Sequence, residues 1–326
     1  MIGIYITHFV PLGHAHAFGY NEILFDLLRC IRIRTSSNHD IGVTVVYYTD
    51  DKAAEDHLVR HLPSGVRLVK NTRPHRPDTQ PSMRNRVLDI ARGDAIQYAV
   101  LLHNDVRVAV GWLDALVHDI QHAENIHGEG GAIVSPRHIP YHYLPAAEVS
   151  CQPFWSDLKA KVRSVEQMRA WCKGHGFSFD GENVLCPPWT APHRDGHQLM
   201  MWIACPKFFD VVGECDERFV GVNHDDQDWG IRALLHKKAS YQSRTCLIGH
   251  VEGLTFMRPG LGALADEAKE LNKQLFIDKW GLDLFEEMQT GKLWPRLHTD
   301  PKSVLLDLKR AGVADRGFFD LVRSKA

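Results

Sequence analysis

No stretch of this sequence approaches the ~18 consecutive apolar residues that a membrane-spanning helix needs, so none is expected. The N-terminal MIGIYITHFV has neither a basic leader nor a small-residue cleavage site, and it reads as a first core strand rather than a signal. Net charge is also nearly absent. Thirty-eight basic against 40 acidic residues leave −2, which singles out neither nucleic acid nor an anionic membrane as a partner. The seven cysteines form no CxxC pair and are odd in number, as expected of reduced thiols in a cytoplasmic protein, with peripheral membrane association left open. There is no internal repeat and no low-complexity tract. What is present is an ordinary globular composition, 44% hydrophobic over 326 residues, enough for one large domain with an appendage or for two domains. Twenty histidines make metal chemistry worth testing residue by residue.

The first half alternates two periodicities. Ile2 to Thr7, Val43 to Tyr48, Val66 to Val69 and Tyr98 to His103 are short apolar or β-branched runs of strand length. Between them, Ile23–Leu24–Leu27–Leu28–Ile31, Met83–Val87–Ile90–Ala91 and Leu113–Leu116–Val117–Ile120 follow helical spacing. Such alternation predicts an α/β fold with a mostly parallel central sheet covered on both faces. Ligands of such sheets bind beyond the carboxyl ends of the strands. Asp50, Asp51 and Asp105, each at the end of a predicted strand, therefore face one common crevice. Residues 136–198 lose this rhythm. A helical tail begins near residue 262.

Four groups carry candidate chemistry. Asp105 ends the buried run LLHND, where a carboxylate either binds a hard divalent cation or caps the following turn; the local sequence does not choose. Asp225, Asp226 and Asp228 crowd the start of a helix. Capping and the helix dipole favour one or two acids there, and Asp228 is spaced to pair with Arg232. A third acid is an excess whose repulsion raises one pKa and makes a better general base. His250 follows a strand-like run and could serve a borderline metal. Cys172, His175 and Cys186 invite a structural zinc, but their spacing fits no common finger. Trp155, Trp171, Trp189 and Trp202 are candidates for stacking on a sugar or for core packing.

Taken together, MRNRVLDIARGDAIQYAVLLHNDVRVAVGWLDALV (83–117), CPKFFDVVGECDERFVGVNHDDQDWGIRALL (205–235), His250 and FIDKWG (276–281) resemble the GT-A fold glycosyltransferases, specifically family 2. The resemblance implies a Rossmann-like GT-A domain over 1–261, with a nucleotide-sugar-binding half (1–135) and an acceptor and catalytic-base half (136–261), followed by a C-terminal helical extension (262–326). It implies that Asp50 or Asp51 contacts the nucleotide base, that Thr7 lies near the ribose, and that Arg84 lies near the base or diphosphate. Asp105, beside Asn104, would bind Mn²⁺ or Mg²⁺ together with His250. Asp226 would be the general base, with Asp225 adjoining it and Arg232 a further phosphate or carboxylate contact. Three features depart from the pattern: the Asp-x-Asp of the family is His103-Asn104-Asp105 here, one carboxylate short; the first strand lacks the common Pro-x-Tyr-Asn; and Cys215 replaces the usual Phe.

The expected reaction is transfer of a sugar, with inversion, from a nucleotide-diphosphate sugar (a UDP-sugar favoured) to an acceptor hydroxyl. The acceptor is left open among saccharide, lipid-linked sugar, protein and modified nucleobase. A retaining glycosyltransferase, a sugar nucleotidyltransferase and a non-catalytic nucleotide- or carbohydrate-binding module are the alternatives.

Overall fold

A computed structural model describes residues 1–10, 17–74, 78–108, 111–140, 178–180, 183–185, 201–220, 224–250 and 261–312. The predicted alternation is present. β1 (Ile2–Phe9), α1 (Ala17–Arg34), β2 (Ile41–Tyr48), α2 (Lys52–His61), β3 (Val66–Lys70), α3 (Gln80–Gly93) and β4 (Tyr98–His103) follow one another, with short β5 (Val106–Val108) and then α4 (Trp112–His127). β6 (Ala132–Pro140), β7 (Ser178–Asp180), β8 (Asn183–Leu185) and β9 (Trp202–Ala204) come next, then α5 (Pro206–Val212), α6 (Asp225–Leu235) and β10 (Ala239–His250). Helices α7 (Leu261–Trp280), α8 (Leu282–Gln289), α9 (Leu293–Thr299) and α10 (Pro301–Arg310) complete the described chain.

Eight strands form one sheet in the order β3-β2-β1-β4-β9-β6-β10-β5, and β7 and β8 pair separately. The pairs β3/β2, β2/β1, β1/β4 and β6/β10 are parallel, whereas β9 runs against both of its neighbours and β5 runs against β10. This is a Rossmann-like, mostly parallel sheet with helices on both faces, as the alternation of periodicities predicts. Side chains of β1 alternate between the two faces: Ile4 and Ile6 join α1, α2 and α4, while Tyr5 joins α3, α5 and α6. Burial on both faces is why the strands read as continuous apolar runs rather than as alternating ones.

The C-terminal helices are not a loose tail. Phe276, Trp280, Leu284, Trp294 and Leu297 share one apolar cluster with Ile231 and Leu234 of α6. At its centre Asp228, 0% exposed, accepts from Lys279 Nζ at 2.6 Å and from the Trp280 indole at 2.9 Å through Oδ1, and from Arg232 Nε at 3.2 Å through Oδ2. Gly281 turns the chain from α7 into α8 at φ 91°, a conformation that suits glycine. The Lys-Trp-Gly element thus locks the helical extension onto the helix that carries the acidic cluster. Asp228→Asn keeps the shape but discards the charge, and it should cost about 1.5–3 kcal/mol in urea unfolding. An unchanged midpoint would show that the node contributes nothing to stability.

Among the described residues no helix is long and apolar enough to cross a membrane. Cys30, Cys205, Cys215 and Cys246 are buried and in no disulfide. Cys172, His175 and Cys186, with Trp155, Trp171 and Trp189, lie outside the described residues. Trp202 is core, its ring 4.8 Å from that of Phe209, and is not available to a sugar.

Candidate active site

The sheet delivers the predicted residues to one edge by register. At the carboxyl end of β1, Thr7 pairs with His103 of β4 and Phe9 with Tyr48 of β2. β5 then runs back antiparallel to β10, pairing Val106 with His250 and bringing the backbone of His250 beside the residue that follows Asp105. His250 also pairs with Pro140 at the end of β6. The first-half crevice and the second half of the chain therefore meet at Asp105.

β4 ends at His103, and Asn104 and Asp105 form the turn that follows it. His103 is packed inward at 9% exposure, so it does not stand in for the missing carboxylate. Asn104 is half-buried, its Nδ2 2.9 Å from Nδ1 of His8. His8 is fully buried, and burial, against a small opposing effect of its bond to Asn21, pushes its pKa down to about 4. Behind the turn, Arg107 is 1% exposed and donates to Asp26 of α1 at 2.9 Å, anchoring β5 to the first helix.

The structure separates Asp50 from Asp51. Asp51 caps α2, its Oδ1 accepting from the Ala54 amide at 3.0 Å. Asp50 is exposed and accepts from the Tyr48 hydroxyl at 2.9 and 2.8 Å, a bond that, with partial burial, pushes the Tyr48 phenol up to about 12. The Tyr48 ring lies 6.3 Å from and 12° off parallel to that of Phe9. These two half-buried aromatics at adjacent strand ends form a flat face beside Asp50. Neither was singled out from the sequence, although aromatics as the last residues of two paired strands were a visible signal. Thr7 is 1% exposed and its hydroxyl has no partner among the described residues, so it lies in the floor of the crevice rather than on its surface.

Arg84 and Arg232, both expected near a phosphate or carboxylate of the ligand, are paired inside the protein. Arg84 is 4% exposed on the inner face of α3, and its guanidinium is paired with Asp225. Its neighbour Asn85 donates to and accepts from the backbone of Cys215 at 2.9 and 2.7 Å, so the Arg-Asn pair docks α3 onto the second half of the chain. Arg232 is likewise occupied, by Asp228 and by the Val212 carbonyl at 2.8 Å. Placed in the interior, each guanidinium needs a counter-charge more than a ligand needs it.

At the start of α6, His224 takes a left-handed conformation (φ 69°), uncommon for a side chain of this size, and sets the direction in which Asp225 and Asp226 leave the turn. Its ring is packed between Phe276 and Phe285, with centroids at 5.4 and 5.7 Å. The two acids are driven apart electrostatically. Burial alone would raise Asp225, but Arg84 and hydrogen bonds hold it below the usual carboxylate range. Asp226 is pushed well above that range, by burial first and then by the charge of Asp225. One acid stays ionised while its neighbour holds its proton tightly.

A cavity of about 500 Å³ lies elsewhere, between α5 and the far part of α6, lined by Arg92, Phe209, Glu214, Asp216, Arg232 and Lys279. It is about 10 Å along the helix from the acid pair. Its charges are spent on one another, and it brings none of the predicted residues together except Arg232.

No family model matches the chain, and no curated protein matches it. Solved structures similar in shape include GalNAc-T7 with UDP, GalNAc and Mn²⁺, at 12% identity and TM-score 0.47, covering 99% of this chain and 57% of that one. They include glucosyl-3-phosphoglycerate synthase from Mycobacterium tuberculosis with Mn²⁺ and UDP-glucose, at 12% identity and TM-score 0.46, covering 84% of this chain and 77% of that one. A third is the mannosyltransferase PcManGT from Pyrobaculum calidifontis with GDP-Man and Mn²⁺, at 12% identity and TM-score 0.45, covering 99% of this chain and 77% of that one. This chain thus spans little more than half the length of GalNAc-T7.

Proposed function

We propose that this chain is a metal-dependent, inverting glycosyltransferase acting on a nucleotide-diphosphate sugar. The observation that carries the reading is the split acid pair at the start of α6, where Arg84 holds Asp225 ionised and Asp226 is pushed up toward the basicity a general base requires. The strand-end crevice supplies the rest. Phe9 and Tyr48 offer a stacking face for the nucleobase, and Asp50 an acceptor for its N–H groups. Thr7 underlies the ribose.

The residues at the β4 turn suit a divalent cation. Asp105 supplies a carboxylate and Asn104 a carboxamide oxygen, hard ligands of the kind Mn²⁺ and Mg²⁺ take, and the register brings His250 to the same turn. A cation bound there supplies charge neutralisation for the departing diphosphate. Asp226 takes the proton from the acceptor hydroxyl as that oxygen bonds to the anomeric carbon. The bond from that carbon to the diphosphate oxygen breaks on the opposite face, and the nucleoside diphosphate leaves with the electron pair. One displacement inverts the anomeric centre. Asp225 keeps its charge throughout and raises the affinity of Asp226 for the proton.

A screen of nucleotide sugars with and without Mn²⁺, reading released nucleoside diphosphate, tests this directly. Metal-dependent release is expected with at least one donor, UDP-sugars first. Asp105→Ala should weaken Mn²⁺ binding by at least the ~10–100-fold that even outer-shell changes cost. Release of pyrophosphate instead would identify a nucleotidyltransferase, and a product that keeps the donor's anomeric configuration would exclude the single displacement. Donor binding without turnover across the panel would leave only a binding module.

A further inference from the structure

The turn that opens α6 has neither of the devices that usually hold such a turn. A helix N-terminus is commonly fixed by a Ser, Thr, Asp or Asn side chain bonded to a free amide, yet His224 makes no such cap bond. A left-handed residue is commonly glycine, yet His224 adopts φ 69° with a full side chain. Its carbonyl still accepts from the Asp228 amide at 2.9 Å, so the helix begins on this residue and Asp225 and Asp226 are its first two positions. A conformation of this kind persists only where the surroundings impose it.

The surroundings come from the C-terminal helices. The His224 ring is 8% exposed and lies against Phe276 of α7 and Phe285 of α8, whose own rings are 6.0 Å apart, so the three pack as one group. Its Nδ1 has no hydrogen-bond partner among the described residues, so packing rather than that atom orients the imidazole. Just upstream, Val220 is held by the same helix. Asn272 of α7, 1% exposed, accepts from the Val220 amide at 2.9 Å and donates to the Val220 carbonyl at 2.6 Å. α7 thus grips the chain on both sides of residues 221–223, and the bonds of Asp228 to Lys279 and Trp280 tie α7 to α6. We infer that Asn272, Phe276 and Phe285 are positioning residues: the C-terminal extension is the template that holds Val220 and His224, and through them aims Asp226 at the acceptor hydroxyl. Their role rests on the reading of Asp226 as general base and brings the extension into that reaction.

The rate of nucleoside diphosphate release from the best UDP-sugar of the screen, with Mn²⁺ present, tests it. Phe285→Ala and Asn272→Ala should each lower kcat by about 10–100-fold, since a misplacement of ~1 Å costs up to ~10². The donor KM should not change. Phe285→Tyr keeps the ring and should retain most of the rate. Ile120→Ala opens a cavity on the other face of the sheet, and should lose stability without losing kcat. An unaltered kcat in either folded alanine variant, or an equal loss in Ile120→Ala, would overturn the inference. Should an alanine variant fail to fold, Phe285→Leu and Asn272→Asp are read by the same criterion. If the unaltered protein releases no nucleoside diphosphate from any donor, the general-base reading falls, and ¹³C spectra of the aspartate carboxyls then decide the template role alone. Phe285→Ala should change the titration of the Asp225–Asp226 pair, and an unmoved titration would overturn that role as well.

Discussion

Asp226→Asn is expected to lower the transfer rate by about 10²–10⁴, the usual worth of general-base help, and at the same time to raise the melting temperature. The two effects share one cause. Burial and the neighbouring charge of Asp225 make the ionised Asp226 carboxylate costly in the folded chain, so its proton is held more tightly there than in the unfolded chain. For a carboxyl shifted upward, the favourable contribution to stability is fully present below the unfolded pKa and is lost as pH rises through the folded pKa. At neutral pH the unaltered protein carries that penalty, and asparagine, with nearly the same shape and no charge, relieves it. In a chain of this size each kcal/mol relieved is worth roughly 2 °C. The rate should fall as pH drops through the raised Asp226 value, since the base must be ionised to accept a proton, and the small residual rate of the asparagine variant should lack that acidic limb. Donor nucleotide affinity should be unchanged by calorimetry. An undiminished rate would remove Asp226 as the base, and a lowered melting temperature would show that its carboxylate is stabilised rather than strained.

The fold was legible because its periodicities are strong. Buried strands such as Tyr98–His103 and helices such as α4 follow the patterns that burial on both sheet faces imposes. That the His250 backbone lies beside the residue after Asp105 follows from strand pairing once the sheet is given. Partner choice was the part not written in local sequence. Asp50 and Asp51 are equivalent until α2 begins, and only the cap shows which of them is spent. Arg84 and Asp225 are 141 residues apart, and nothing in either segment shows that each neutralises the other. His8 sits in an apolar strand without a motif around it, and its contacts with Asn21 and Asn104 emerge only in the folded chain. Charges buried on facing elements choose one another across the fold, and no local segment displays that choice.

Arg84→Met should be the most destabilising of the changes considered, by about 3–5 kcal/mol in urea unfolding at neutral pH, because it leaves the Asp225 carboxylate buried without its counter-ion. Methionine matches much of the arginine stem in length and removes the charge, so the loss reads the ion pair more than the packing. In the unaltered protein Asp225 is held below its ordinary range. Its contribution is therefore present above the unfolded pKa and disappears as pH falls through the folded value. Without Arg84, burial pushes Asp225 upward with less to oppose it, so the variant's deficit should be greatest at neutral pH and shrink as acid protonates the carboxyl. Adding Asp225→Leu to Arg84→Met should recover much of the loss, since removing both members of a buried pair is far cheaper than removing one. Arg84 also lowers the affinity of Asp226 for its proton. In any Arg84→Met protein that remains folded, the acidic limb of the transfer rate should therefore move to higher pH. A stability loss without that kinetic shift would mean that Arg84 braces α6 mechanically and leaves the base untouched. Both together would show that one buried guanidinium sets the stability of the acid pair and the pH at which it works.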